Sequence, residues 1–157
     1  MLSVEIPGRG SYQIEHLVLD VNGTIAEDGH LIPGVKQRLQ KIAKLVQVHM
    51  VTADTHGRQF AIDAELEMAA VRLERGRPED AQKAALVEKL GADHCIAMGN
   101  GANDVLMLQK AAIGVAILGP EGTCVEAVTA ADVVCLSIGD ALDLLLTPRR
   151  LVATLRR

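Results

Sequence analysis

The stretch HLVLDVNGTIAEDGH, residues 16–30, joins a short apolar run to a polar turn. Three apolar residues, typical of a buried strand, lead to a single carboxylate at Asp20. Gly23 marks a turn directly afterwards, and the next polar residue, Asn22, is an amide rather than an acid. The stretch therefore predicts a strand that presents one carboxylate at its tip.

Outward from this stretch, apolar strands alternate with helical segments along the whole chain. Strands are predicted over 46–51, 67–73, 94–100, 113–118 and 132–136, and helices over 31–45, 56–65, 78–91, 102–112, 121–130 and about 138–155. The first helix is expected to pack through Val35, Leu39, Ile42 and Leu45. An Asp-Gly pair predicts a small β-hairpin flap over 26–31. The pattern predicts an α/β fold, a three-layer, Rossmann-like, doubly wound parallel sheet in a single domain over residues 1–157.

The composition limits the classes of function. Hydrophobic residues make up 49% of the 157 residues, which is enough for a packed core. The chain has one Tyr, one Phe, no Trp and a formal net charge of −4, which argues against nucleic-acid binding. Three dispersed cysteines, with no leader pattern and no long apolar segment, indicate a cytoplasmic protein that does not span a membrane.

Four polar segments follow strands or lie on helices in this pattern. They are Asp20 with its turn VNGT, Thr52 in VTADT, Lys83 on the helix after Pro78, and GNGAND at 99–104. In a doubly wound sheet, ligands bind at the carboxyl ends of the strands, so Asp20, Thr52 and Asn100 are expected to share one crevice.

Each of these segments suits a phosphoryl group. A carboxylate can attack phosphorus and form an acyl phosphate. Glycine turns and helix N-termini direct N–H groups at phosphate oxygens, and a hydroxyl and an ammonium stabilise the charge on those oxygens. Oxygen atoms of Asp20 and of the 99–104 turn are suited to Mg²⁺.

DVNGT, TAD, a downstream lysine and GNGAND resemble, in this order, the four motifs of the haloacid dehalogenase-like (HAD) hydrolase superfamily. The nearest resemblance is to the phosphorylation domain of P-type ATPases, and it covers about residues 15–146. It implies a Mg²⁺-dependent phosphohydrolase with Asp20 as the nucleophile. The residues implied to be catalytic are Asp20, Asn22, Thr52 and Lys83. Those implied to bind the phosphoryl group are Gly23, Thr52, Ala53, Lys83 and Asn103. Those implied to hold Mg²⁺ are Asp20, Asn22 through its carbonyl, Asn100 and Asp104.

Two departures from the superfamily pattern affect the expected activity. Asn22 stands where phosphatases of the superfamily usually carry an aspartate that protonates the leaving group, so we expect slow turnover. Asn100 replaces a metal-binding aspartate, so we expect weaker binding of Mg²⁺. Both asparagines precede glycine, and deamidation would convert them into the acids that the superfamily uses. The alternative is a catalytically degraded relative that binds a phosphorylated ligand or a protein partner without turnover.

The spacing of the motifs leaves no room for an inserted cap domain between Asp20 and Thr52 or between Thr52 and Lys83. By analogy with capless relatives, the open crevice suggests a homo-oligomer, for example a tetramer, acting on a phosphorylated substrate. His56 follows TADT and is left outside the predicted site.

Overall fold

A computed structural model of the protein describes residues 1–54 and 57–157. The strands are β1 (Leu2–Ile6), β2 (Gly10–Ile14), β3 (His16–Asp20), β4 (Ala26–Glu27), β5 (His30–Leu31), β6 (Gln47–Thr52), β7 (Val71–Arg72), β8 (Cys95–Gly99), β9 (Ile113–Ile117) and β10 (Val133–Cys135). The helices are α1 (Val35–Ile42), α2 (Gln59–Leu66), α3 (Glu79–Leu90), α4 (Val105–Lys110), α5 (Val125–Ala130), α6 (Ile138–Leu146) and α7 (Pro148–Leu155), with 3₁₀ turns at Ala92–His94 and Ala102–Asp104. His56 lies outside the described residues.

Six strands form one parallel sheet in the order β10-β9-β8-β3-β6-β7. From β3 the chain first adds β6 and β7 on one side and then crosses to add β8, β9 and β10 on the other side. The order reverses beside β3, which makes its carboxyl end the switch point where such sheets bind ligands. The predicted doubly wound parallel sheet is therefore confirmed.

Helices cover both faces of this sheet because β3 is apolar on both sides. Leu17 and Leu19 belong to the larger apolar cluster, which includes buried residues of α1, α2, α6 and α7. Val18 points to the opposite face, into a smaller cluster with residues of α3, α4 and α5. This alternation follows from the two-residue period of a strand and produces the three layers. None of the helices described within residues 1–54 and 57–157 is long and apolar enough to cross a membrane.

The flap predicted over 26–31 is present as the antiparallel pair β4 and β5. Its two central residues, Asp28 and Gly29, have φ of 49° and 77°. Positive φ at both positions is what a type I′ hairpin turn requires, and Asp-Gly tolerates it. The flap follows the Asp20 turn directly, and the Gly23 N–H donates to the Ala26 carbonyl at 2.8 Å.

Several boundaries differ from the sequence predictions. Helix α1 ends at Ile42, so Leu45 lies beyond it and is 37% exposed rather than packed on its apolar face. The strand predicted over 67–73 is reduced to β7, because Glu67, with φ of 58°, still forms the left-handed end of α2. Sequence analysis also missed the N-terminal hairpin β1-β2, which packs on the larger cluster through Val4 and Ile14.

Candidate active site

The polar segments predicted from the sequence meet at the carboxyl edge of the central strands. Asp20 is the last residue of β3, Thr52 is the last residue of β6, and Asn100 follows β8. Helix α3 presents Lys83 from its buried face. These residues therefore lie around the switch point of the sheet.

Lys83 is the centre of a buried charge cluster. Its Nζ atom lies 2.7 Å from Asp20 Oδ1 and 2.7 Å from Asp104 Oδ1. Lys83 and Asp104 are fully buried, and Asp20 is 6% exposed. If all three groups are ionised, two carboxylates face one ammonium and the cluster carries one excess negative charge. Removal of Lys83 would leave two buried carboxylates without a cation, which is strongly destabilising.

Asp104 is held by the backbone of its own loop. Its Oδ2 atom accepts hydrogen bonds from the N–H groups of Asn100 and Gly101, both at 2.9 Å. Its Cγ atom would lie 2.4 Å from a Cβ atom at position 99, which only glycine avoids. The GNGAND segment therefore folds around the Asp104 carboxylate and aims its other oxygen at Lys83.

Thr24 contacts the Asp20 oxygen that does not face Lys83. Sequence analysis did not assign Thr24 a role. Its Oγ1 atom lies 3.1 Å from Asp20 Oδ2 and 3.1 Å from Asn100 Oδ1. The Asn100 Nδ2 atom donates to the Gly122 carbonyl at 2.9 Å, which fixes the amide with its oxygen towards Thr24. Thr24 belongs to the DVNGT motif, so the motif was a signal, but Gly122 comes from a segment that carried none.

The loop from 118 to 124 closes this side of the site by tight backbone packing. A Cβ atom at position 119 would lie 2.5 Å from the Gly23 carbonyl oxygen, and one at position 23 would lie 2.6 Å from Asn100 Nδ2. The Cys124 N–H donates to the Asn100 carbonyl at 2.8 Å. Glycine at position 23 is therefore needed for its close packing against Asn100 and Gly119 as well as for the turn. Asn100 is held through both its backbone and its side chain.

The hydrogen bonds that the Thr52 hydroxyl accepts orient it to donate one to a ligand. Its Oγ1 atom accepts from the Asp54 N–H at 2.8 Å and from Asn22 Nδ2 at 3.4 Å. Because both contacts use lone pairs of the oxygen, the hydroxyl proton remains for a ligand. Ala53 lies between these residues, and Asp54 Oδ1 accepts from the Gln59 N–H at 3.0 Å, which ties the loop to α2.

Asn103 lies in the same loop as Asn100, but its side chain is directed elsewhere. Its Nδ2 atom donates to Glu79 Oε2 at 2.6 Å and so links the loop to the first turn of α3. Across the crevice, Arg58 Nε donates to the Gly29 carbonyl at 3.2 Å and joins the flap to the start of α2. The structure thus brings together Asp20, Lys83, Asp104 and Asn100 in one group and Asn22 with Thr52 beside it, and it turns Asn103 towards Glu79.

The electrostatics of the cluster follow from its burial. Burial raises the pKa of the Asp20 carboxyl to about 7, the Asp104 carboxylate adds to this increase, and Lys83 opposes it. Burial acts to lower the pKa of Lys83, but the charges of Asp20 and Asp104 outweigh it, and that pKa lies above its usual value. Lys83 therefore stays charged, and Asp20 is close to the point at which it takes up a proton at neutral pH.

The oxygen atoms at the site fit a hard divalent cation. Asp20 Oδ2 and Asn100 Oδ1 converge on the same hydroxyl, and a cation beside them would favour the ionised form of Asp20. Both oxygens of Asp104 already accept N–H groups. Within residues 1–54 and 57–157, no three His, Cys, Asp or Glu side chains form a metal-binding group. The oxygens that converge are thus one carboxylate and one amide, which are hard ligands that suit a cation such as Mg²⁺ and are unlike a zinc site.

Comparison with known proteins finds relatives of this chain. An uncharacterized protein of Methanocaldococcus jannaschii is 48% identical over 61 residues, which are 39% of this chain and 66% of that protein. The matched stretch thus spans just under two thirds of that relative.

Two solved structures share the fold at lower identity. The 3-deoxy-D-manno-octulosonate 8-phosphate phosphatase from Moraxella catarrhalis, solved with magnesium, phosphate and KDO, is 18% identical with a TM-score of 0.66, over 91% of this chain and 94% of that chain. The catalytic domain of the CPx-ATPase CopB-B is 24% identical with a TM-score of 0.59, over 74% of this chain and 46% of that chain.

A family profile decides the assignment. The profile of the haloacid dehalogenase-like hydrolases matches residues 4–112, which include Asp20, Thr52, Lys83 and Asp104. The match covers more than half of the chain and confirms both the resemblance read from the motifs and the assignment to the hydrolases. The chain belongs to the haloacid dehalogenase-like hydrolase family.

Proposed function

We propose that the protein is a Mg²⁺-dependent phosphohydrolase that acts through a phospho-aspartate on Asp20. The observation that carries the proposal is the 2.7 Å contact between Lys83 Nζ and Asp20 Oδ1 at the carboxyl end of β3. It joins the candidate nucleophile to a buried ammonium at the switch point of a hydrolase fold. A phosphoryl group placed there would face the carboxylate, the Thr52 hydroxyl and the Lys83 charge together.

In the first step, a carboxylate oxygen of Asp20 attacks phosphorus and the bond from phosphorus to the leaving oxygen breaks. Lys83 and the Thr52 hydroxyl stabilise the charge on the other phosphoryl oxygens. The leaving oxygen takes its proton from solvent, because the Asn22 amide has no acidic proton to give. The absence of a positioned acid typically costs about 10²–10⁴-fold for leaving groups that need protonation.

In the second step, water attacks the phosphorus of the phospho-aspartate. The bond to Asp20 breaks, inorganic phosphate leaves, and a proton from the water passes to solvent. Asn22 is also a poor base for this water, so we expect the phosphorylated state to be long-lived.

Asp20, the Asn22 carbonyl and Asn100 would hold Mg²⁺ directly, and Asp104 would assist by orienting Lys83 and the 99–104 loop. When bound, the ion supplies neutralisation of the negative charge on the phosphoryl group and on Asp20. The weak point is Asn100, whose neutral oxygen replaces a charged one, so we expect Mg²⁺ to bind less tightly than at a site with a carboxylate there.

The test is hydrolysis of para-nitrophenyl phosphate, whose leaving group needs little protonation, in the presence of Mg²⁺. The Asp20→Asn variant should lose about 10³-fold or more of the rate. The matched control is Asp93→Asn, which removes an exposed carboxylate from the opposite end of the sheet and should leave the rate unchanged. Acid-quenched wild-type protein should carry one phosphoryl group on the peptide that contains Asp20. An Asp20→Asn variant with the wild-type rate would reject the proposal, whereas a wild type that binds phosphate without turnover would favour the non-catalytic alternative.

A further inference from the structure

Thr24 lies at the centre of the contacts between the two side chains that would hold the cation. Its side chain is fully buried, and its Oγ1 atom is 3.1 Å from both Asp20 Oδ2 and Asn100 Oδ1. A hydroxyl carries one hydrogen, so Thr24 can donate to only one of these two oxygens at a time. The other oxygen then faces a hydroxyl lone pair in a buried position, which is unfavourable without a further positive charge or proton.

The two oxygens cannot easily avoid this arrangement. The Asn100 amide is held by its donation to the Gly122 carbonyl, so a flip would place two acceptors against each other there. The same amide lies close to Gly23, where a Cβ atom would be only 2.6 Å from Asn100 Nδ2. On the other side, Lys83 holds the second carboxylate oxygen of Asp20. The protein therefore fixes both acceptors around one hydroxyl.

We propose that Thr24 is a positioning residue that holds the Asp20 and Asn100 oxygens together and thereby sets the affinity of the site for a divalent cation. The inference rests on the proposed function, because it takes these two side chains as the cation's ligands. A cation that contacts both oxygens supplies the positive charge that the second oxygen lacks. The Thr24 hydroxyl can then donate its hydrogen bond to either ligand. Groups that orient metal ligands in this way typically change metal affinity about 10–100-fold when they are removed.

Thr24 also has a backbone role that must be separated from the role of its hydroxyl. Its N–H donates to the Val21 carbonyl at 3.2 Å in the turn after β3. Thr24→Val keeps this bond and the shape of the side chain and removes only the hydroxyl. Thr24→Ser keeps the hydroxyl and removes a methyl group. A purely structural role would make the two variants weaken Mg²⁺ binding equally. A positioning role of the hydroxyl would make Thr24→Val weaken Mg²⁺ binding more than Thr24→Ser does.

The experiment is calorimetric titration of each protein with MgCl₂ alone, in the absence of any phosphate ester, together with thermal unfolding in EDTA. We expect Thr24→Val to weaken Mg²⁺ binding about 10–100-fold and Thr24→Ser to stay near the wild type. The control is Thr129→Val, which removes an exposed hydroxyl bonded to the Glu126 carbonyl and should bind Mg²⁺ as the wild type does. If Thr24→Val does not fold, Thr24→Ala must show the same loss of affinity.

The proposal is overturned if the folded hydroxyl-free variants bind Mg²⁺ as tightly as the wild type does. It is also overturned if Thr24→Ser is as weak as Thr24→Val, or if the wild type binds no Mg²⁺. A wild type whose Mg²⁺ affinity depends on the Thr24 hydroxyl but which hydrolyses no phosphate ester would reject the proposed function and leave this inference standing.

Discussion

At the scale of single residues, the two asparagines that depart from the superfamily pattern have different surroundings. Asn22 Nδ2 donates to a hydroxyl, Thr52 Oγ1, and the contact is long at 3.4 Å. A protonated carboxyl at position 22 can also donate to this hydroxyl oxygen, so the contact is kept in the acidic form that protonates a leaving group. Asn100 Nδ2 donates to a carbonyl, that of Gly122, which can only accept. A carboxylate at position 100 would therefore meet a carbonyl oxygen and place a second acidic group beside Asp20, across the Thr24 hydroxyl.

We accordingly expect the two substitutions to change different properties, the rate at position 22 and the stability at position 100. Asn22→Asp should raise the rate on alkyl phosphates about 10²-fold or more, since it supplies the missing acid, and should change the stability little.

Asn100→Asp should lower the free energy of unfolding in EDTA by about 1–3 kcal/mol and should gain more stability from Mg²⁺ than the wild type does. Urea unfolding with and without Mg²⁺, beside a phosphatase assay, measures both effects. Equal stability of Asn100→Asp and the wild type in EDTA would contradict this account of Gly122.

At the scale of elements, the close approach of loops to side chains makes some glycines irreplaceable. Gly99→Ala would place a Cβ atom 2.4 Å from Asp104 Cγ, so the carboxylate would have to leave its N–H donors and Lys83. We expect a loss of about 1–3 kcal/mol in the free energy of unfolding and a loss of phosphatase activity. The control is Gly139→Ala in α6, where the new Cβ would meet Arg38 at an ordinary 3.5 Å. That change should stabilise the protein by about 0.5–1 kcal/mol, because alanine favours the helix. Equal effects of the two substitutions on urea unfolding would show that the packing around Asp104 is looser than described.

The same scale separates what the sequence could predict from what it could not. The tips of β3, β6 and β8 were predictable, since an apolar run followed by a polar turn is a local signal. The hairpin β1-β2 also had a local signal, an alternation of apolar and polar residues around a Pro-Gly turn, and was overlooked. The role of the Gly122 carbonyl had no local signal, because its contact with Asn100 depends on the order of the strands in the sheet. For the same reason, the contact between Asn103 and Glu79 was beyond sequence analysis, since its partners belong to separate elements.

At the scale of the whole molecule, the sheet joins two titratable sites at opposite ends of β3 and β6, one buried and one partly buried. Asp20 lies at the carboxyl end, and the His16–His49 pair, with ring nitrogens 3.1 Å apart, lies towards the amino end. Burial, with a smaller contribution from the charge of His16, lowers the pKa of His49 below its usual 6.5. Burial raises that of Asp20 from 3.8 to about 7. Both groups therefore favour their neutral forms in the folded protein, so folding opposes ionisation at each end of these strands.

The two groups give the metal-free protein opposite dependences of stability on pH. Folded Asp20 holds its proton up to about pH 7, whereas in the unfolded chain it loses that proton near pH 3.8, so its contribution is full at low pH and is lost as the pH rises through this window. His49 contributes above pH 6.5, and its contribution is lost as the pH falls below that value.

We therefore expect Asp20→Asn, which is neutral at every pH, to be more stable than the wild type at pH 8 in EDTA by on the order of 1–4 kcal/mol. Near pH 4 this advantage should vanish. Mg²⁺ should reverse the order at pH 8, because it stabilises only the protein that carries the carboxylate. Urea unfolding of both proteins at the two pH values measures these differences, and a wild type as stable as the variant at pH 8 in EDTA would mean that Lys83 compensates the buried Asp20 charge in full.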